Sequence, residues 1–337
     1  MLSKTSKDLL MPCLLLSKVP QSDLSLSNVK EFSVFPAAVV CYVGMGTFMG
    51  YLATRQLLKV QDRMWVTAAC AFPTSTGSVL ALYSSLLSSS TSTFPSMTLD
   101  DTSKILARGV SEIIVYTAFM NVARWTVGWM LMARVKSEGS EGMIGVGNLS
   151  DEEPEPAEAD TDRVGKQLRK ALLNPPVLFG FISISIALMP FIHPLVYDDG
   201  APLGFLRNAL EKMGDAYVPA ALFILGMQVA DSRSARGVDG PGFKELGIIV
   251  VVRMLLVPLV ITLVLPAFPG WTGLPLSTKL VLLLESCTPP AINLATMASL
   301  RKFKEKEVGR MLFLAYSIGA VTTAIWVSVW LGAGVVL

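Results

Sequence analysis

The chain has 337 residues, of which 52% are hydrophobic and 16% are charged, and its mean hydropathy is +0.55. Soluble globular chains carry about 25% charged residues, so this composition excludes an ordinary soluble domain. The net charge of +2 is too small to indicate nucleic-acid binding. The four cysteines lie in apolar stretches without CxxC spacing, and His193 is the single histidine, so neither a metal site nor a disulfide framework is predicted.

Apolar runs in chain order predict an all-α polytopic membrane protein. A helix needs about 20 mostly apolar residues to cross the hydrocarbon layer. Eight runs meet this length or approach it, namely 32–54, 64–87, 109–132, 171–197, 216–230, 246–265, 280–300 and 311–337. The stretch 9–19 is a further candidate. We therefore expect about nine spans.

An acidic segment separates the first three long runs from the later ones. Residues 137–168 contain nine acidic and two basic side chains and show no apolar periodicity. This composition predicts a disordered linker. The chain is thus divided into a first helical repeat, 1–135, a linker, 136–170, and a second helical repeat, 171–337. The linker could serve as a solubilising tether or as a segment for regulatory docking or phosphorylation.

The loops between the apolar runs alternate in their content of lysine and arginine. Four alternate loops contain 17 such residues, whereas the intervening loops and the C-terminus contain 5. Because cytoplasmic loops are enriched in lysine and arginine, the cation-rich side, including 137–168, is expected to be cytoplasmic. The C-terminus is then extracellular or lumenal, in either the plasma membrane or the endoplasmic reticulum.

The two halves echo each other around interrupted helices. A proline begins a short apolar helix at Pro12 and again at Pro219, and prolines interrupt a span at Pro73 and again at Pro289. Five spans follow the linker, so the halves would insert in opposite senses, as inverted repeats do in secondary transporters. The second half has a span before Pro219 that the first half lacks before Pro12. We therefore expect a missing first helix, encoded by about 30 to 40 further residues.

The order and spacing of these motifs resemble the auxin efflux carrier family, which includes plant PIN and PIN-like membrane transport proteins. The residues that carry the resemblance are 10–17 (LMPCLLLS), 173–180 (LNPPVLFG), 214–226 (GDAYVPAALFILG) and 289–293 (PPAIN). The resemblance implies two inverted five-helix repeats with a scaffold part and a moving transport part, as in an elevator. It also implies export of small carboxylates. Thr74 stands where many relatives have asparagine.

Both interrupted spans offer groups that could bind an anion. Proline breaks the helical hydrogen-bond ladder, and each half-helix N-terminus carries about half a positive charge. The candidate substrate-binding residues are Pro73, Thr74, Ser75, Thr76, Gly77, Pro289, Pro290 and Asn293. The alternative is that each proline only kinks its helix.

Charged residues inside spans are expensive and indicate function by default. Glu285 precedes Pro289 by one helical turn and is a candidate proton carrier. Alternatively, it forms a structural ion pair with Arg124 or Arg253. We expect Glu112, near the end of its span, to reach the membrane interface, and His193 to be structural.

These features predict a secondary transporter that moves small amphipathic organic anions, such as auxin-like carboxylates, by alternating access. No HExxH or GxSxG motif indicates an enzyme, and no filter sequence indicates a channel. The alternatives are a membrane sensor or receptor on the same fold and an inactive truncated carrier. The expected partners are a small organic anion and the lipid bilayer, without nucleic acid or cofactor. Both a monomer and a homodimer are compatible with the sequence.

Overall fold

A computed structural model describes most of both predicted repeats. The described residues are 2–20, 33–75, 77–88, 99–132, 173–189, 193–197, 201–217, 243–268 and 270–335, with single positions between 219 and 230. The predicted linker, 136–170, lies outside the described residues, as do Thr76 and Val218, the residue before Pro219.

The described part of the chain is helical and contains no strand, which confirms the predicted all-α class. In chain order the helices are α1 (Leu2–Thr5), α2 (Met11–Lys18), α3 (Val34–Leu57), α4 (Val60–Ala71), α5 (Gly77–Ser88), α6 (Leu99–Ala123), α7 (Pro175–Leu188), α8 (His193–Val196), α9 (Gly204–Asp215), α10 (Phe243–Ile249), α11 (Val257–Val264), α12 (Leu276–Cys287), α13 (Asn293–Arg301) and α14 (Glu305–Gly332). Three π-helical segments continue these helices, at Ser6–Leu10, Arg124–Gly128 and Val250–Leu256.

Four helical stretches of the described chain are long and apolar enough to cross a membrane. They are Val34–Leu57, Lys104–Met132, Lys244–Val264 and Glu305–Gly332. The predicted spans 64–87 and 280–300 are each split into two helices, α4 with α5 and α12 with α13. A half-helix of 12 residues, such as α4 or α12, is about 18 Å long, too short to cross the hydrocarbon layer alone.

Helix α3 packs closely against α4 and reaches α12. A Cβ atom added at Gly46 would lie 2.6 Å from the backbone oxygen of Cys70, so this crossing requires a glycine. The Tyr42 hydroxyl donates a hydrogen bond of 3.0 Å to the backbone oxygen of Leu282 in α12. Helix α3 therefore contacts the first half of each interrupted span.

Indole groups fix α14 against the preceding long span. Trp326 Nε1 donates to the backbone oxygen of Met254 at 2.8 Å, and Trp330 Nε1 donates to Thr262 Oγ1 at 2.7 Å. Each of these indole N–H groups therefore has a hydrogen-bond acceptor, as polar groups in an apolar interior require. The two spans on either side of α12 and α13 are thus held together.

The short helix α2 directly continues the π-helical segment Ser6–Leu10, so the helix does not begin at the predicted proline, and α2 contacts the second half of the chain. Pro12 lies in its first turn. The Tyr197 hydroxyl donates to the backbone oxygen of Leu16 at 2.7 Å, and Lys18 pairs with Glu211 of α9 at 2.5 Å. This hydrogen bond from Lys18 lowers the pKa of the Glu211 carboxyl below its usual value.

Candidate functional site

The two interrupted spans cross where their helices break. Thr74 N donates to the backbone oxygen of Pro289 at 2.8 Å, and Ala291 N donates to that of Phe72 at 2.9 Å. These two bonds form an antiparallel bridge between Pro73 and Pro290. The two proline motifs identified in the sequence are therefore brought together in one buried crossing.

The backbone at each break is extended because of the prolines. Residues that precede proline avoid helical dihedrals, and Phe72 and Thr288 have ψ values of 107° and 150°. Backbone groups released from the helical ladder must find other partners inside a membrane protein. Part of this need is met across the crossing, where each break accepts one hydrogen bond from the other.

Helix α14 lies directly against the second break. A Cβ atom added at Gly319 would be 3.0 Å from Pro289 Cβ. One turn further on, Thr323 Oγ1 donates to the backbone oxygen of Cys287 at 3.3 Å. The close approach at Gly319 thus places α14 where it can supply polar groups to the crossing.

A buried arginine serves the first break. Arg124 begins the π-helical segment that continues α6, and its side chain is buried. Its Nη2 donates to the backbone oxygen of Pro73 at 2.6 Å and to Ser75 Oγ at 3.2 Å, while Nη1 donates to Asn121 Oδ1 at 2.7 Å. The guanidinium group therefore donates to a backbone oxygen that the break leaves without a helical donor.

A second buried arginine serves the other break. Arg253 lies in the π-helical segment Val250–Leu256 and is 0% exposed. Its Nε donates to the backbone oxygen of Thr288 at 3.1 Å, and its Nη2 to that of Glu285 at 2.9 Å. Arg124 follows the first break in the chain, whereas Arg253 precedes the second. Both arginines donate hydrogen bonds to backbone oxygens at a break, but their positions in the chain are not equivalent in the predicted repeat.

The Glu285 carboxyl is buried with these arginines but forms no hydrogen bond with either. Both of its oxygens are buried and have no hydrogen-bond partner among the described residues, and none of the ion pairs found there includes it. Both guanidinium groups are near enough to interact with it electrostatically. The structure therefore differs from the predicted ion pair with Arg124 or Arg253, because the broken helices present backbone oxygens that take the guanidinium N–H groups.

The prediction that Glu112 reaches the membrane interface is wrong. This residue is 1% exposed, and its Oε1 accepts from Thr278 Oγ1 at 2.7 Å, Arg108 Nε at 3.1 Å and Ser277 Oγ at 3.2 Å. The first turn of α12 supplies the two hydroxyl groups, so the carboxylate is held at the N-terminal end of that helix, where negative charge is favourable. The side chain of His193 lies outside the described residues.

The polar side chains at the crossing are positioned by tyrosines and a threonine. Tyr217 donates to Asn293 Oδ1 at 2.5 Å, which leaves the Asn293 amide N–H groups to act as donors elsewhere. The Thr74 and Tyr316 hydroxyls are 2.8 Å apart, and Thr117 donates to the backbone oxygen of Ser75. Gly77 begins α5, and Thr76 lies outside the described residues.

Sequence reasoning missed several of these polar residues. The missed residues at the crossing are Tyr116, Thr117, Asn121, Tyr217 and Tyr316. One signal was available, because Thr117, Asn121 and Arg124 are spaced by four and three residues and so share one helix face. The tyrosines offered no such pattern. The Tyr116 hydroxyl is buried without a hydrogen-bond partner among the described residues, as the Glu285 carboxyl is.

The crossing concentrates positive charge and hydrogen-bond donors inside an apolar bundle. Two buried guanidinium groups, one carboxyl group, an amide and two half-helix N-termini meet there. No group of His, Cys, Asp or Glu that could hold a metal ion occurs among the described residues. Interrupted helices that meet in a membrane bundle are typical of secondary transporters, so this arrangement indicates a membrane transport protein.

Comparison with known sequences gives the family. The profile of the family described as "membrane transport protein" matches residues 1–327, and the chain belongs to this family. It is an integral membrane transport protein by this membership and by its apolar helices.

Individual relatives match parts of the chain or nearly all of it. The protein PIN-LIKES 2 of Arabidopsis thaliana is 35% identical over 154 residues, 43% of this chain and 32% of that protein. PIN-LIKES 1 of the same plant is 28% identical over 162 residues, 47% of this chain and 33% of its own length. These matches therefore span about a third of each plant relative. An uncharacterized transporter of Saccharomyces cerevisiae is 22% identical over 98% of this chain and 89% of its own length.

Proposed function

We propose that this protein is a secondary carrier that moves small amphipathic organic anions, such as auxin-like carboxylates, across its membrane by alternating access. The observation that supports the proposal most directly is the buried crossing of the two broken helices. A carboxylate placed there meets the N-termini of α5 and α13, which favour negative charge. The fixed charges of Arg124 and Arg253 add to the positive potential, and Arg124 Nε and Arg253 Nη1 have no hydrogen-bond partner among the described residues.

The side chains of Asn293 and Thr74 would donate hydrogen bonds to the carboxylate. The Asn293 amide is 4% exposed and keeps its N–H groups available while Tyr217 occupies its oxygen. The Thr74 hydroxyl is oriented by Tyr316. The remainder of the ligand would contact apolar side chains of the crossing, such as Phe72 and Ala291, both almost fully buried. Sites of this kind bind ligands that combine an apolar body with one polar group.

The crossing also provides a unit that could move. The two backbone hydrogen bonds between the breaks join α4 and α5 to α12 and α13. We infer that these four half-helices move together relative to a scaffold that includes α2, α7 and α9. The carboxylate site would then be presented to each side of the membrane in turn.

Export of a radiolabelled weak acid from proteoliposomes containing the full chain tests this proposal. Asn293→Leu removes about one hydrogen bond to a charged group, worth roughly 1.5–3 kcal/mol, so we expect a tenfold to hundredfold loss of affinity. Thr74→Val should weaken binding in the same direction. Thr126→Val is the matched control, because Thr126 donates only to backbone oxygens of its own helix, those of Val122 and Ala123.

The neutral ester of the same acid should not compete for export. Equal competition by the ester, or unchanged export in both crossing variants, would show that the crossing is not the anion site. Binding of the acid without movement across sealed vesicles would instead identify a sensor or receptor. Neither binding nor movement would identify an inactive carrier.

A further inference from the structure

A second cleft lies at the far end of α13 from Asn293. It has a volume of about 430 Å³ and is lined by Trp129, Met132, Leu300, Arg301, Lys302 and Phe303. This volume is in the usual range for ligand sites, about 300–1,000 Å³. Met132 ends the long span Lys104–Met132, so the cleft is located at the end of a membrane-crossing helix. The crossing residues do not take part in it.

Arg301 is fixed across the aromatic wall of this cleft. Its guanidinium carbon lies 3.9 Å from the centre of the Trp129 ring, and its Nη2 donates to the backbone oxygen of Trp129 at 3.0 Å. Its Nε is buried and has no hydrogen-bond partner within the described chain. Burial lowers the pKa of Arg301 to about 10, which still leaves the group protonated at neutral pH. The cleft therefore holds an oriented guanidinium group whose Nε–H is available to donate a hydrogen bond.

The positive charge of the cleft is not neutralised by neighbouring acids. Lys302 is exposed and has a left-handed backbone, with φ of 50°, at the C-terminus of α13. Neither Arg301 nor Lys302 forms an ion pair with another described residue, whereas nearby Lys7 pairs with Asp8 and Lys304 pairs with Asp62. The C-terminus of α13 contributes about half a negative charge, which these two full positive charges outweigh.

We propose that this cleft binds the phosphate group of an anionic phospholipid. A guanidinium group held over an indole ring presents its N–H groups in the fork geometry that suits phosphate oxygens. Tryptophan and cationic residues at the end of a span lie at the depth of the lipid headgroups. Basic pockets between membrane helices bind phosphorylated headgroups through this combination. The apolar wall formed by Met132, Leu300 and Phe303 would contact the part of the lipid next to the phosphate.

Binding of a short-chain phosphatidylinositol 4-phosphate to the full chain in detergent tests the proposal by calorimetry. The double variant Arg301→Gln/Lys302→Gln should bind at least about tenfold more weakly, which corresponds to losing one hydrogen bond to a charged group. The control Lys306→Gln/Arg310→Gln removes the same charge from the first two turns of α14, outside the cleft, and should retain affinity within about twofold. Short-chain phosphatidylcholine should not bind measurably.

The single variant Lys302→Gln protects the test against misfolding, because this side chain is exposed and forms no hydrogen bond or ion pair found among the described residues. It should weaken binding by a smaller factor without changing the melting temperature. Equal losses in the cleft and control double variants would indicate a diffuse surface charge and overturn the proposal. Inorganic phosphate that binds as tightly as the lipid would assign the cleft to a soluble phosphate compound and overturn the lipid assignment.

Discussion

Buried guanidinium groups allow two helices to break inside the membrane. Each proline break leaves backbone oxygens without helical donors, and such groups cost several kcal/mol in hydrocarbon. Arg124 and Arg253 supply five donated hydrogen bonds between them, three of which go to backbone oxygens at or beside the breaks. The charge that makes these arginines costly to bury is thus what makes them effective donors. Their first role at the crossing is to donate hydrogen bonds to the backbone oxygens that the breaks leave without helical donors.

Glu285 presents the opposite situation, since its carboxyl has no hydrogen-bond partner within the part of the chain that the structure describes. Glu285→Gln should therefore leave the melting temperature in detergent within a few degrees of the native value, because a neutral amide is less costly to bury than an unpaired carboxylate. Glu285 is also a candidate proton carrier, and if it carries a proton during export, the same variant should export the weak acid at a rate that no longer depends on pH. Export should be measured between about pH 5 and 8 with the substrate anion concentration held constant.

Gln substitution at Glu211 provides the control, since that carboxyl lies outside the spans and pairs with Lys18. An unchanged pH profile in the Glu285→Gln variant would remove this residue from proton transfer. A melting temperature lowered by ten degrees or more would show instead that its negative charge stabilises the two arginines in the folded protein.

At the scale of helices, the sequence located the breaks but not what surrounds them. Pro73 and Pro289 were visible because proline cannot continue a helical ladder, and the helices do end and begin again beside them. The bridge between the breaks depends on how two spans cross, which no local pattern encodes. Glu112 was misplaced for the same reason: its distance from the end of its own span was apparent, whereas the first turn of α12 that binds it is 165 residues away.

The close contact between α3 and α4 provides a test of the helix packing, and the control substitution lies in the same helix. Gly46→Ala places a methyl group 2.6 Å from the backbone oxygen of Cys70, a contact that only a shift of the helices can relieve. We expect a loss of about 1–3 kcal/mol of stability, the usual cost of overpacking. Gly44→Ala, two residues earlier, meets nothing within 4 Å and should be neutral or stabilising, because alanine favours helix by about 1 kcal/mol.

Thermal unfolding of both variants in the same detergent measures this difference. The melting temperature of Gly46→Ala should fall while that of Gly44→Ala should not. If the two variants have the same melting temperature, α3 and α4 do not approach as closely as they do in the structure.

Across the whole molecule, the loops assigned to one side by their charge contact each other. Lys304, in the loop before α14, pairs with Asp62, in the first turn of α4, just after the loop that follows α3. Arg301, the last residue of α13, donates to Trp129 near the end of the third long run, just before the acidic linker. On the opposite side, Lys18 pairs with Glu211 of α9. These contacts are consistent with the alternation of lysine and arginine content in the loops along the chain.

The orientation of the molecule follows from that alternation and can be tested directly. The 17 lysines and arginines on one side against 5 on the other predict that residues 137–168 face the cytoplasm and that the C-terminus faces away from it. A protease site inserted near Pro154 should stay uncut when protease is added to intact cells or to right-side-out vesicles, and should be cut after the membrane is permeabilised. A site appended at the C-terminus should be cut without permeabilisation if the protein is in the plasma membrane, and should be protected inside sealed microsomes if it is in the endoplasmic reticulum. Cleavage near Pro154 in sealed, right-side-out vesicles together with protection of the C-terminus would reverse the topology, and the Arg301 cleft would then face the outer leaflet.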